Sequence, residues 1–593
     1  LAPTSATPTA KTKEVTLDDA PAADPAPTTP AEGSAKKPTT NVIKVVNNWV
    51  GEAAKELKIR LSNVNIKAEN AGRKAAMDVS GGGTTKVELD GQNVLDSHEV
   101  PYQAGLRKQG EGTLTITDET DDNGNKITAP KSGDSGSLTA KGATSNGSAG
   151  IGGKTGESTK NIIIEGYATV DATGGGQGAG IGGGGGTAGH VSGDAENIII
   201  RGHSKVTATT LGGAAIGGGY GSESGGSAKG IVIRDHATVV AKSDGGSWLG
   251  NGCAAIGAAG NKDTEAEVII GTPGATAATG DVHVTATGLY GSAIGSGTKD
   301  TKVTIQGHAT VQTASSKSPI AIGSYYGNVE VNIKDNASID TATGAGASGI
   351  GGGDFFSHPE KSVVVTINGG ENGKIEIGKN SAITGKFGAI SATEVNISNN
   401  VLLKMKQWAS TNGQYISVNG TEAEVGTRSN TPGASGLVNT IGDNTELWYT
   451  DYYNKLQKIV HGKNLCTKHE TNHKDATCTT PGSKTYQCTY EKENGAVNPE
   501  HKDQWVENTD IDPNAHNYVK TTVPPTCGAQ GYDEYICTNN PNHKYRDNFV
   551  DATGNHQFND WQLTKAPTCM EKGEEKRECK VCGKPETREV DKL

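Results

Sequence analysis

One phrase recurs along the middle of this chain and limits what it can fold into: Ala, an optional Gly, Ile, then Gly. It reads AGIGG at 149–153, AGIGGGGG at 179–186, AAIGGG at 214–219 and AAIGAAG at 254–260. Weaker copies are SAIGSG at 292–297, AIGS at 321–324, SGIGGGD at 348–354 and GAIS at 388–391. The isoleucines are Ile151, Ile181, Ile216, Ile256, Ile294, Ile322, Ile350 and Ile390, so the steps are 30, 35, 40, 38, 28, 28 and 40. A period of this size that tolerates insertions belongs to stacked structural repeats, not to a globular core.

A second phrase stands between the anchors. It reads IIIEGYATVDATGG at 162–175, IIIRGHSKVTATT at 198–210, IVIRDHATVVAKS at 231–243, VTIQGHATVQTAS at 303–315 and VNIKDNASIDTAT at 331–343. Each repeat thus offers three short strands, I-x-I, A-x-V and A-x-I-G, in which apolar and polar residues alternate. Gly or Asp at the corner after I-x-I tolerates positive φ. Three strands and three corners make one rung of a parallel β-helix. A sandwich or propeller also has short strands, but neither explains an identical three-part phrase. Met77 in AAMDV and Leu106 in AGL occupy earlier anchor positions, giving ten rungs and a rod about 45 Å long at the usual strand spacing. The expected fold class is therefore all-β, a parallel β-helix of about ten rungs, followed by small Cys-containing β-hairpin modules.

Composition agrees. With 84 glycines, 5% aromatic residues and three methionines, layered α/β packing is excluded, and the absence of a strict Gly triplet excludes collagen. The net charge of −11 disfavours nucleic acid as partner. No apolar run approaches the roughly 18 residues of a membrane helix, so membrane insertion is not expected. The chain begins at Leu1 without an apolar signal core and reads as a mature or excised piece.

The expected boundaries follow. Residues 1–40 are a disordered Pro/Thr/Ala-rich linker with too little apolar surface to order itself. Residues 41–400 are the β-helix. Residues 401–460, which gather Trp408, Trp448, Tyr449, Tyr452 and Tyr453, are a C-terminal cap over the last open strands. Three cysteine modules then span 461–508, 509–555 and 556–593, the last truncated at Leu593. Their cysteines pair at a spacing of ten, Cys478/Cys488, Cys527/Cys537 and Cys569/Cys579.

These modules admit two readings. Each ten-apart pair is a hairpin disulfide in an oxidising compartment, leaving Cys253, Cys466 and Cys582 over. Alternatively each module is a structural zinc site of thiolates and imidazole, because His501 and His543 stand where the third copy has Cys582. On that reading the ligands are Cys478, Cys488, His501, Cys527, Cys537, His543, Cys569, Cys579 and Cys582, with a fourth donor from His473, His516 or His556.

In the solenoid the rare aromatics cluster about the anchor: Tyr220, Trp248, Tyr290, Tyr325, Tyr326, Phe355 and Phe356. Tyr220 and Tyr326 each follow their isoleucine by four positions, so rings on stacked rungs would share a flank able to bind sugar faces; each ring padding its own corner is the alternative. A catalytic groove would need paired carboxylates; Asp354, Glu360 and His358 are the densest group, with Asp235 and Asp244 on neighbouring rungs. The histidines of Gly202-His203, Asp235-His236 and Gly307-His308 are read as corner packing. The glycine runs lack the Gly-Lys-Ser/Thr ending of a phosphate loop and the aspartate of the calcium-binding nonapeptide, so no cofactor is expected in the β-helix.

Taken together, IRLSNVNI at 59–66, AAMDV at 75–79, VELDGQNVL at 87–95, GTLTIT at 112–117, the AGIGGG copies and the PTC cysteine modules resemble exported surface proteins of Gram-positive, largely gut, bacteria. Such proteins carry a parallel β-helix of the carbohydrate-binding type and tandem PTCTEKG-type cysteine repeats. The chain departs from them at Cys488 and Cys537, where the usual C-x-x-C continuation is missing. The resemblance implies a secreted or wall-attached location and a glycan or host-surface ligand. The expected function is a monomeric, non-catalytic surface protein whose β-helix binds such a ligand and acts as a rigid spacer; the alternative is a glycoside hydrolase or lyase using the β-helix groove.

Overall fold

The computed structural model describes residues 37–49, 56–121, 124–131, 136–187, 191–221, 225–245, 252–260, 264–297, 300–315, 320–353, 360–379, 381–409, 414–418, 421–422, 442, 444–462, 468–488 and 504–593. These fall into two compact units, 1–465 and 466–593. The linker assigned to 1–40 lies almost wholly outside the described residues.

The first unit is a right-angled consequence of the repeat: every third strand pairs, in parallel, with its counterpart one repeat later, building three long sheets around one core. In the anchor sheet Ile151, Ile181, Ile216, Ile256, Ile294, Ile322, Ile350 and Ile390 are successive register partners. Each is fully buried, a gain of roughly 1.5–3 kcal/mol per side chain over exposure. The I-x-I strands stack likewise, with Ile164 on Ile200 and Ile200 on Ile233. In the third sheet Val170, Val206, Val239 and Val284 form the column. The parallel β-helix read from the periodicity is the observed fold.

The glycine that follows the anchor isoleucine in every copy but the last, where Ser391 follows Ile390, has a specific cause. Gly182, Gly217 and Gly257 hold φ of 142°, 139° and 135°, a region closed to most side chains. A Cβ on Gly217 would also sit 1.9 Å from the carbonyl oxygen of Gly257 in the next rung. The anchor strand turns sharply against the rung above, and only glycine leaves room.

The stack is longer than the ten anchor copies. Ile43–Val46 pairs below Met77–Ser80, and Ile416–Val418 pairs above Gly388–Ala392. Parallel pairing also continues past residue 400, from Val401–Lys406 to Glu446–Thr450. Only then does Leu456–His461 close that sheet by pairing antiparallel, which saturates an edge that would otherwise recruit another strand. Tyr449 is buried there, edge-on to Tyr415 at 4.9 Å.

The second unit contains three separate three-stranded antiparallel sheets, one per cysteine module. Their strands are Lys468–Lys474, Gly482–Cys488 and Gln504–Thr509; Tyr518–Val523, Gly531–Cys537 and Lys544–Val550; Gln562–Lys565, Gly573–Glu578 and Pro585–Val590. Each hairpin expected from the sequence thus gains a third strand.

Candidate ligand cleft and candidate metal centres

Corner residues Gly166, Gly202 and Asp235 take left-handed φ of 68°, 70° and 64°. Each turns the chain from the I-x-I strand into the A-x-V strand, and each is followed by a ring: Tyr167, His203, His236. Because the rungs are in register, the rings stack. Tyr167 and His203 are 5.0 Å apart and within 7° of parallel; His203 and His236 are 4.6 Å apart and within 2°. Their faces meet one another, so the column turns ring edges, not faces, toward solvent.

Two insertions wall this column. Below, the segment after Asp118 folds back, and Tyr167 Oη donates to the Thr128 carbonyl at 2.6 Å. That segment is tied to the rod by Lys131, which reaches Asp118 at 2.9 Å and also pairs with Asp90, and by Arg60, which donates to Thr120 Oγ1 at 2.8 Å. Above, residues 272–280 carry the short helix Ala277–Gly280; Thr272 donates to Asp235 at 3.3 Å and the Asp281 amide donates to His236 Nδ1 at 3.3 Å. Against the first of these walls lies a cleft of about 350 Å³, lined by Glu119, Thr128, Glu165, Tyr167, Arg201, His203 and Asp235 among others.

The cleft is polar and charge-balanced. Glu165 accepts from Arg201 Nε at 2.7 Å, and Lys86 links Glu119 at 2.7 Å to Glu165 at 3.7 Å. Partial burial, with the neighbouring His236, holds His203 below the usual imidazole range against the opposing pull of Asp235. His203 is therefore favoured in its neutral form. What the column offers is a row of hydrogen-bonding edges beside a guanidinium and carboxylates.

Of the histidines read as corner packing, His203 and His236 stack at the corner and His203 also floors this cleft, while His308 lies 2.9 Å from Asp281. The signal of the stack was present in the aligned phrases, where Tyr, His and His occupy one position in consecutive rungs. The shared flank expected of the anchor aromatics is not formed by Tyr220 and Tyr326, which belong to anchors three rung steps apart (216, 256, 294, 322). Tyr220 instead covers a small cluster of Ala214, Cys253 and Ala259. Tyr325 and Tyr326 meet edge-on at 4.4 Å, and Tyr290 is half-buried. Trp248, Phe355, Phe356, Asp354 and His358 lie outside the described residues; Glu360 is exposed. Asp244 pairs with Lys242 at 2.9 Å. Cys253 is fully buried, its thiol donating to the Gly212 carbonyl at 2.7 Å, and burial raises its pKa; such a thiol is inert.

The tail gathers its donors differently from the ten-apart pattern. Cys527, His556, Cys579 and Cys582 form one group, and Cys478, His516 and Cys537 a second, with all ligand atoms of each group within 4.8 Å. His543 lies beside the second group without belonging to it, its Nδ1 3.3 Å from His516 Nδ1. Both groups can hold a metal ion. The sulfur–sulfur distances are 3.7 Å for Cys478 and Cys537 and 3.5 Å for Cys527 and Cys579; Cys582 Sγ and His556 Nδ1 are 3.2 Å apart. A tetrahedral ion with bonds of ~2.3 Å to sulfur and ~2.0 Å to nitrogen sets edges of ~3.8 Å S–S, ~3.5 Å S–N and ~3.3 Å N–N. The three edges measured within the groups fit that frame.

The surroundings favour thiolate at one cysteine of each group, Cys537 and Cys579, while burial and the facing thiol raise their partners Cys478 and Cys527. Burial opposes ionisation of Cys537, but the His516 ring and the amides of Asn540, Asn539 and Asn517 bring it down to about 6. The Cys582 amide, against burial, and then the Val581 amide and His556 bring Cys579 to about 5. Asn540 Nδ2 lies 3.3 Å from His543 Nε2 and orients that ring.

This geometry corrects both cysteine readings. Cys527 lies in the turn before Gly531–Cys537 and Cys537 at its far end, so a seven-residue strand, roughly 20 Å long, separates the supposed disulfide partners. The same separation divides Cys569 from Cys579 across Gly573–Glu578. Cys569 is exposed and belongs to neither group. His473 is exposed and pairs with Glu470 at 3.3 Å. His516 and His556 are the ligating histidines among the three offered as fourth donors. The Cys488 side chain, His501 and Cys466 lie outside the described residues.

Comparison with protein-family models, curated proteins and solved structures found nothing that matches this chain.

Proposed function

We propose that this protein is a non-catalytic surface scaffold, secreted or wall-attached, whose rigid β-helix binds a glycan or host-surface ligand. The ligand site is the cleft over Tyr167 and His203, and that cleft is the observation that carries the reading. A hydroxyl-rich ligand suits it, because ring edges, Arg201, Glu165 and Asp235 offer both donors and acceptors. The mode is edge-on hydrogen bonding, since the ring faces are already used by one another. The resemblance to Gram-positive surface proteins supports the location and the ligand class. The tail serves as a stalk with structural zinc in its two thiolate–imidazole groups, the donor set zinc prefers.

A glycan array probed with the wild-type chain and with Arg201→Ala and His203→Ala tests this. Binding that weakens about tenfold in each variant, the value of one hydrogen bond near 1 kcal/mol, supports the cleft. An array with no glycan hit rejects the glycan reading, and hits unaffected by both variants reject the site.

A further inference from the structure

The two donor groups of the tail share a plan. The first takes Cys478 from module one and His516 and Cys537 from module two, with His543 beside His516 as the nearest further donor. The second takes Cys527 from module two and His556, Cys579 and Cys582 from module three. In every module the first cysteine sits in the same turn, held by the preceding threonine: Thr477 Oγ1 accepts from the Thr480 amide at 3.0 Å, Thr526 Oγ1 from Ala529 at 3.1 Å, and Thr568 Oγ1 from Glu571 at 3.0 Å; only the first two of these cysteines, Cys478 and Cys527, belong to a donor group. That turn touches the segment leading into the next module. Cys478 N donates to Ala515 O at 3.2 Å, Asp512 N to Thr477 O at 3.1 Å, and Thr553 N to Thr526 O at 2.9 Å.

Little else holds the modules together. Among the described residues of this unit, the buried side chains are Cys478, Cys527, Cys537, Cys579 and Asp533. All seven residues of Lys544–Val550 are exposed, as are the four of Gln562–Lys565. Sheets this small cannot bury enough apolar surface to order themselves and need a metal or cross-link. Here the four buried cysteines belong to the two donor groups, and both groups lie at junctions.

We infer that each ion is a clasp between consecutive modules, completed by a cysteine from the module before. The inference rests on the zinc reading above and adds what the ion does: it couples module one to two and two to three, turning a string of separate sheets into one stiff stalk. A module's own donors hold the ion weakly until the preceding turn supplies its cysteine.

The test uses the full chain, purified reduced with added zinc, and measures bound metal together with hydrogen exchange. Cys478→Ser and Cys527→Ser are each expected to lose about one zinc, while Cys569→Ser loses none. Sites built within modules differ at Cys569→Ser, which would then lose one zinc as the other two variants do, and that outcome overturns the clasp while leaving zinc in place. In the wild type, chelation is expected to raise exchange at least tenfold in the junctions at 510–517 and 551–558. Cys478→Ser is expected to do so at the first junction alone, and Cys478→His to restore protection there. Protection unchanged by chelation overturns the coupling. No bound zinc, or a disulfide joining Cys478 to Cys537, overturns the zinc reading itself.

Discussion

His203 and His236 stack ring on ring, 4.6 Å apart and within 2° of parallel, though 33 residues separate them in the chain. Two imidazolium rings cannot share that spacing without repulsion. His203 is held below its ordinary value by partial burial and by His236, so the fold favours its neutral form. A histidine with a depressed folded pKa costs stability as pH falls below the unfolded value, about 6.5. Ligand affinity and amide protection at 202–206 are therefore expected to be full at pH 7.5 and to fall between about pH 6.5 and 5. A titration by heteronuclear NMR or calorimetry checks this, and a flat profile in that window refutes the neutral-stack account.

The glycine after the anchor isoleucine is required by the stack itself. Gly217→Ala places a Cβ against the Gly257 carbonyl at a φ of 139°, and ~1–3 kcal/mol of backbone strain is the minimum cost. Gly274→Ala, with positive φ but nothing within 4 Å, is expected to cost only the ~1–2 kcal/mol of a left-handed alanine, without the added clash. Urea unfolding of the two variants side by side distinguishes them; equal midpoints would remove the steric explanation.

Metal removal should act on one unit alone. The rod is held by a continuous apolar core containing none of the tail's donors, whereas the tail buries chiefly its cysteines. Chelation is expected to abolish the tail's thermal transition and leave that of the β-helix within about 1 °C, on the ground that binding stabilises only the unit that binds. Calorimetry of the full chain with and without chelator reads both transitions.

Asp533 gives the second module an acid limit. Lys520, Thr522 and Asn548 converge on its carboxylate at 2.8, 2.7 and 2.9 Å and hold it down to about 2. A depressed carboxylate contributes stability above its unfolded value, about 3.9, and loses it as pH falls toward 2. Asp533→Asn is expected to destabilise the module at pH 7 and to flatten its pH dependence between about 4 and 2, as followed by hydrogen exchange in Tyr518–Val550.

Much of the rod was legible in the chain order because its determinants are local. Alternation in I-x-I and A-x-V decides which side chains turn inward, and the glycine after each anchor isoleucine but the last reports a backbone that no other residue tolerates. From these the register of Ile151 on Ile181 and of Ile216 on Ile256 follows by counting. The ring column was half legible. Tyr167, His203 and His236 align in the phrases, but the cleft beside Tyr167 and His203 depends on the insertion after Asp118, which brings Glu119 and Thr128 against that corner.

The cysteines show where sequence alone stops. The spacing of ten marks a repeated unit and says nothing of which unit a thiol faces. A strand's length keeps Cys527 from Cys537, and the turn at Thr526 delivers it to Cys579, 52 positions on, at 3.5 Å. Periodicity fixes what a residue does within its own repeat, because alternation and φ are short-range. Partnership between repeats is set by how the chain returns on itself, and only the tertiary structure decides that.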